Sequence, residues 1–364
     1  MNQIIFMLIG LIMPTDRYEN KIPGGNEPDL INDGPYIYQI DNKLKVGWIE
    51  NSVYGEDYIV PENFDGIGKN FNLSFSYTDL TDIFKIRPDF DQSYTNADSI
   101  AVISDIHGEY GIYTDLMQGN GIIDKNLNWN FGKGHLVVLG DMFDRGNMVT
   151  EVLWHLFGLE KQAEKAGGRV HVMLGNHEFM VLRNELCDIN EKYSKVEEIS
   201  KIRYADLYSE KSVLGKWLRT KPVVITIDDI IFVHGGISTE MIDRHLNLKQ
   251  INKIFIKNVI GRDLGEVCHR ELVKFLNEAY GPLWYRGYFY DPDFCESEID
   301  SILDFYGKSH IVVGHTPNET ITSLYGNKIL GADAGIALNQ PGKMLLYKDG
   351  SFYSSCKKGL RVKL

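Results

Sequence analysis

Six residues in this chain of 364 carry side chains that bind metal ions, and they sit where a strand-rich sequence would gather them. Asp105, Asp141, Asn176, His234 and His315 each close an apolar run, and His107 follows the first by two positions. Each lies beside a glycine or in a short glycine-containing turn: His107-Gly108, Gly140-Asp141, Gly175-Asn176, His234-Gly235-Gly236 and Gly314-His315. A carboxylate or imidazole at the end of a buried strand is costly unless something compensates it, and divalent cations would do so. Two Asp, one Asn and three His form a set too hard for thiophilic metals and too nitrogen-rich for a calcium cage. Six ligands also exceed what one four-coordinate zinc takes. The set therefore predicts two ions roughly 3.5–4 Å apart, bridged by one carboxylate. Mn, Fe, Zn and Co all stay open, because affinity order and metal supply both decide the occupant.

The elements that must position these side chains have a clear rhythm. Apolar, β-type runs occur at Ser99–Asp105, His135–Asp141, Arg169–Asn176, Ile230–His234 and His310–His315, the pattern of strands buried on both faces. The first three end 36 and 35 positions apart, the size of a βαβ unit. Residues 148–166 place Val149, Val152, Leu153, Leu156 and Leu159 on one helical face and stop at Gly167-Gly168, a C-terminal cap. Longer gaps follow, and helical insertions at about 185–221 and 243–305 would form a cap over the main domain, residues 98–356. Tyr325-Gly326-Asn327 and Lys348-Asp349-Gly350 read as hairpin turns. Ahead of this domain, Tyr36–Val60 alternates like a small antiparallel meander. Residues 15–97 thus form a polar arm, rich in Pro and Gly up to residue 34, and a small β extension. The sequence shows no internal repeat.

Composition narrows the function. With 50 acidic and 38 basic residues the formal charge is −12, which argues against a nucleic-acid partner, since a basic face is needed there. An anionic substrate would have to find its positive charge locally, in a few arginines or in metal. Cys187, Cys268, Cys295 and Cys356 show neither paired nor dense spacing, so ordinary thiols are expected, although an even count allows bridges. Ile4–Met13 is too short for stable membrane insertion but suits the apolar part of an export signal over residues 1–14, which would place the protein in the periplasm or outside the cell. Met1-Asn2-Gln3 lacks a positive charge and no small-x-small cleavage site follows, so a buried segment in a cytoplasmic protein stays open. Oligomeric state is not legible.

Taken in order, Ser104-Asp105-Ile106-His107-Gly108, Gly140-Asp141-Met142-Phe143-Asp144-Arg145-Gly146, Gly175-Asn176-His177-Glu178, His234-Gly235-Gly236 and Gly314-His315-Thr316 resemble the motifs of calcineurin-like metallophosphoesterases, in the phosphoprotein phosphatase branch. The finer match is to the Shewanella-like protein phosphatases, of the cold-active protein-tyrosine phosphatase type. It rests on Ser104, on Ala166–Glu178 and on Gly281–Phe289, and the likeness spans about residues 98 to 350. The resemblance implies a layered α/β/β/α sandwich with helical cap insertions and a small N-terminal β extension. It implies that Asp105, His107 and Asp141 hold one ion and that Asp141 bridges to a second held by Asn176, His234 and His315. A hydroxide bridging the two ions would attack phosphorus in line.

By the same resemblance His177 is the general acid for the leaving oxygen, and Asp144 orients it and raises its pKa. Arg145 would clamp the phosphoryl oxygens with its planar, permanently charged group, and Arg286 is the candidate second clamp. Glu178 reads as a support rather than a catalyst, and Asp333 as either a neighbour of the metals or a turn residue. His135, His155, His171, His245, His269 and His310 fall outside the motifs and read as structural or surface. Trp284, Tyr285, Tyr288, Phe289 and Tyr290 flank Arg286; half of such a run is usually core, and the rest would give a flat wall for a phenyl phosphate. The expected activity is dephosphorylation of phosphoproteins or phosphopeptides, with phosphotyrosine preferred. The rivals are a phosphoesterase for nucleotides or dinucleoside polyphosphates, and a non-catalytic metal-binding scaffold.

Overall fold

The computed structural model describes residues 30–262 and 270–364, so the export segment, the start of the arm, Cys268 and His269 lie outside it. Two six-stranded sheets form the centre. One holds β5 (Ser99–Ile103), β6 (His135–Val138), β7 (Arg169–Val172), β13 (Met344–Lys348), β14 (Ser351–Ser355) and β15 (Arg361–Lys363), in the order β15-β14-β13-β5-β6-β7. The other holds β4 (Ser93–Tyr94), β8 (Val224–Ile227), β9 (Ile230–Val233), β10 (His310–Val313), β11 (Thr322–Leu324) and β12 (Ile329–Gly331), in the order β11-β12-β10-β9-β8-β4. β5, β6 and β7 run parallel, as do β9, β10 and β12.

Alternation along each strand divides its side chains between two cores. Ile100, Val102, Val137, Phe232 and Val312 fill the space between the sheets. Ala101, Ile103, Leu136, Val138, Val233 and Val313 point to the larger core shared with the helices. Burial on both faces is why the sequence shows unbroken apolar runs rather than alternation. The connecting helix Val149–Ala166 has the expected span and ends on Gly167 at φ 78°. Hairpins join β11 to β12 and β13 to β14 at the two expected turns. The insertions carry helices, among them Glu191–Ser200 in the first and Leu248–Asn258 and Glu296–Tyr306 in the second. Among the described residues no helix is long and apolar enough to cross a membrane. Cys187, Cys295 and Cys356 are free thiols.

A three-stranded antiparallel sheet, β1 (Asp33–Ile40), β2 (Lys43–Glu50) and β3 (Val53–Ile59), makes the N-terminal extension. Its Tyr36, Ile37, Leu44 and Val46 join the main core. Trp154 of the long helix donates its indole N–H to the Pro35 carbonyl at 2.8 Å.

One sequence expectation is corrected, and one strand was not foreseen. The strands do not run to the metal-type residues: they stop one to four positions earlier, and the backbone of Asp105, His107, Asp141 and His315 turns to φ 53°, 46°, 55° and 64°. Left-handed backbone costs such residues about 1–2 kcal/mol each. Bonds between the loops offset it, such as His107 N–H to the Asp141 carbonyl at 2.9 Å and Asp105 N–H to the Gly140 carbonyl at 3.2 Å. Leaving the pleat early is what turns these side chains toward one another. β8 is the unforeseen strand: Val224–Ile227 pairs antiparallel with β9 across the tight Asp228-Asp229 turn, and its run is broken by Thr226 and closed by no metal-type residue beside a glycine.

Candidate metal centre

The centre is built around Asp141. Its loop is held from below by Glu178, whose fully buried carboxylate accepts the backbone N–H of Asp141 at 2.8 Å, Met142 at 2.7 Å and Gly175 at 2.6 Å. Sequence reasoning placed Glu178 as a support, and this is the form the support takes. Gly175 allows the loops to close: a Cβ there would lie 2.1 Å from an Asp141 carboxylate oxygen. A Cβ on Gly314 would likewise meet the Ser104 hydroxyl at 2.0 Å. The hydroxyl of Ser104 bonds Asp105, and the His315 N–H donates to the same Asp105 oxygen at 2.9 Å.

The histidine tautomers follow from their partners. Nδ1 of His107 faces the Phe143 carbonyl at 2.6 Å, and Nδ1 of His234 faces the Leu139 carbonyl at 2.8 Å. A carbonyl only accepts, so both Nδ1 atoms carry a proton and both Nε2 atoms point inward. His107 Nε2 lies 3.7 Å from an Asp141 oxygen, and His234 Nε2 lies 3.2 Å from the same oxygen. Asn176 Oδ1 is 2.9 Å from His234 Nε2. Ligand atoms of His107, Asp141 and His177 lie within 4.8 Å of one another, and so do those of Asp141, His234 and His315. Asp141 belongs to both groups, the place of a bridging carboxylate. Asp105 belongs to neither group but is tied to His315, while His177 enters the first.

His177 differs from its neighbours. Its Nδ1 meets a carboxylate, Asp144, at 2.6 Å, and its ring stands at 88° to that of His107 with centroids 4.6 Å apart. Burial opposes its charge, but Asp141 and Asp144 outweigh burial and raise its pKa. Arg145 is exposed; its N–H donates to the Asp188 carbonyl at 3.0 Å, and Asn190 holds its carbonyl at 2.7 Å. Arg286, half-buried on the second insertion, brings Nη2 to 3.5 Å from His315 Nδ1. Of the aromatic run, Tyr285 and Tyr288 are core, and Trp284 stands edge-on to His315 at 5.8 Å. Asp333 is buried beside Asp105 and also closes a turn through the Gly335 N–H at 3.0 Å; burial, then Asp105, holds its pKa well above the carboxylate range. The remaining described histidines serve packing and turns, as His171 with His135 at 3.1 Å and His310 with the Asn327 carbonyl at 2.8 Å.

The calcineurin-like phosphoesterase family model matches residues 99–319, which contain every one of these candidate ligands. The chain belongs to that family. It is similar to the cold-active protein-tyrosine phosphatase of a psychrophilic Shewanella species, with 34% identity and a TM-score of 0.82 over 92% of this chain and 99% of that one. Shewanella-like protein phosphatase 1 of Plasmodium berghei is 29% identical over 66% of this chain and 67% of its own length. Shewanella-like protein phosphatase 2 of Arabidopsis thaliana is 21% identical over 67% of this chain and 73% of its own.

A calcineurin-like phosphoesterase uses a dinuclear metal site, and the donor set here fits one. His234 Nε2, Asn176 Oδ1 and an Asp141 oxygen converge with no proton between them unless the imidazole is charged. Burial opposes that charge, but Asp141 overrides it and pushes His234 up to about 9; a metal cation would satisfy all three atoms. Nε2 of His315 is buried without a partner. Burial, reinforced by the charges of His234 and Arg286, holds His315 down to about 2, and burial holds His107 down to about 3. Neutral imidazoles are the form that binds metal.

Proposed function

We propose that this phosphoesterase is a dinuclear metal-dependent phosphomonoesterase acting on phosphoproteins, with phosphotyrosine as its preferred ester. The observation that carries this is the His177–Asp144 pair set against an Asp141 shared by two ligand groups. Asp105, His107 and Asp141 would hold one ion, and Asp141, Asn176, His234 and His315 the other. Bound divalent ions supply Lewis acidity and lower the pKa of water. The protein's own residues supply the rest. Arg145 and Arg286 bind phosphoryl oxygens through charged, planar donors. Asp144 accepts Nδ1–H of His177, which fixes the ring and leaves Nε2–H to protonate the departing oxygen. His177 is read as proton donor rather than ligand because its Nδ1 faces the Asp144 carboxylate, whereas Nδ1 of His107 and of His234 faces a backbone carbonyl.

Trp284 beside His315 offers a flat apolar surface to an aryl ester, and the similarity to a protein-tyrosine phosphatase points the same way. The test is a panel of Tyr, Ser and Thr phosphopeptides, p-nitrophenyl phosphate and dinucleoside polyphosphates, run on manganese-reconstituted protein. Turnover led by phosphotyrosine, lost with chelator and regained with manganese, is expected. Turnover resistant to chelator overturns the metal mechanism, and turnover confined to nucleotides overturns the substrate class.

A further inference from the structure

A cleft of about 730 Å³ opens between β1, β2, β3 and the segment Ile67–Asn72 of the N-terminal region, with the start of the helix Val149–Ala166 at its floor. One wall is aromatic: half-buried Trp48 and Phe71 meet edge to face with ring centroids 6.1 Å apart. The other side and the floor are acidic, with Glu50, Asp57, Asp33 and Glu151. Among the described residues no lysine, arginine or histidine lines it. Lys192 answers part of this charge from behind, with Nζ 2.9 Å from Asp33 and 3.9 Å from Glu151. Its second short bond goes instead to the Asn147 carbonyl, at 2.7 Å. Oε2 of Glu151 is buried and has no hydrogen-bond partner, and among the described residues Glu50 and Asp57 form no ion pair. A buried carboxylate oxygen without a hydrogen-bond partner is costly, and a cation seated near Glu151 would offset that cost.

We propose that this cleft docks a basic segment of a partner protein, seating an arginine or lysine side chain on the Trp48 face with its charge turned to Glu151, Glu50 and Asp57. An indole face attracts a guanidinium or ammonium group, and a guanidinium also reaches carboxylates with paired donors. Charge complementarity selects the occupant. Residues 15–29 of this chain offer only Arg17 and Lys21 against Asp16, Glu19, Glu27 and Asp29, so an external basic segment fits the acidic cleft better. None of these side chains takes part in the proposed chemistry, so docking and catalysis are read by separate assays.

The experiment is calorimetric titration of the full-length protein with a synthetic peptide alternating arginine and glycine, beside its glutamate counterpart. The expected result is saturable binding of the arginine peptide alone, weakened at least tenfold in Glu50→Gln/Asp57→Asn and in Trp48→Ala. Because Trp48→Ala could disturb the fold, the exposed carboxylate pair carries the decision. Asp41→Asn/Asp349→Asn, which removes the same charge at exposed turns, should bind like the parent, and p-nitrophenyl phosphate turnover should be unchanged in both carboxylate double variants. Absence of saturable binding, equal loss in the turn variant, or equal binding by Glu50→Gln/Asp57→Asn overturns the docking site. Self-association of the parent that blocks the peptide and vanishes in Glu50→Gln/Asp57→Asn would seat a second copy there instead and overturn the partner.

Discussion

His177 and His234 both approach Asp141, yet their opposite ring nitrogens face different partners, and that contrast separates a donor of protons from a donor of lone pairs. His234 gives its Nδ1 proton to the Leu139 carbonyl, while His177 gives its own to the Asp144 carboxylate, which favours imidazolium. Replacing His177 by Asn is therefore expected to cut turnover by ~10²–10⁴, the scale of losing a general acid, with metal content by elemental analysis unchanged. Loss of metal in that variant would make His177 a ligand. Arg286 acts at a different stage: Arg286→Ala is expected to raise KM for phosphate esters with a smaller effect on kcat, and an unchanged KM would return it to packing around His315. The types and order of the six candidate ligands were legible because five of them close apolar runs, His107 follows the first by two positions, and glycines mark the turns. The bonds that Glu178 accepts from four backbone N–H groups were not, since they depend on how the loops after β6 and β7 approach in space.

Those loops depend in turn on elements distant in sequence. The apolar runs marked five central strands and their layering, because burial on both faces leaves a pattern that local sequence can show. β8, with Thr226 inside its run, and the way the N-terminal sheet docks left no such mark. Lys192 illustrates why: it lies 159 positions from Asp33, and only the folded chain brings the two to 2.9 Å. With its bond to the Asn147 carbonyl, Lys192 links β1 and the helix Glu191–Ser200 to the loop that carries Asp144 and Arg145. Lys192→Met would strand a buried Asp33 carboxylate, and breaking a buried pair in this way costs about 3–5 kcal/mol. A lower Tm and a several-fold lower kcat are expected. In Asp33→Asn/Lys192→Met the uncompensated charge is gone, so Tm should recover in large part while kcat stays low, because the bond to Asn147 is still missing. Recovery of both together would show that the link serves stability alone. Thermal unfolding and steady-state kinetics on the two variants decide between these outcomes.

Across the whole molecule, histidines outside the centre make folding sensitive to acid. Burial lowers the pKa of His135 and His155, and it lowers that of His171 well below the ordinary value, with the charge of His135 adding to the effect. In the unfolded chain these groups titrate near ~6.5. The sign follows: below that pH the unfolded chain takes up protons that the folded chain refuses, so acid favours unfolding, whereas above it the three groups are neutral in both states and contribute no slope. Each such group steepens the loss of stability by up to ~1.4 kcal/mol per pH unit on the acid side. Urea unfolding of the metal-loaded protein should therefore give a flat free energy from pH 8 to 7 and a fall between pH 6.5 and 5.5. His171→Gln keeps a hydrogen-bonding group opposite His135 but cannot titrate, so its fall should be shallower by up to one proton's worth. An undiminished slope in that variant would move the acid sensitivity to other groups, with the imidazoles around Asp141 the first to examine by repeating the titration at higher free metal.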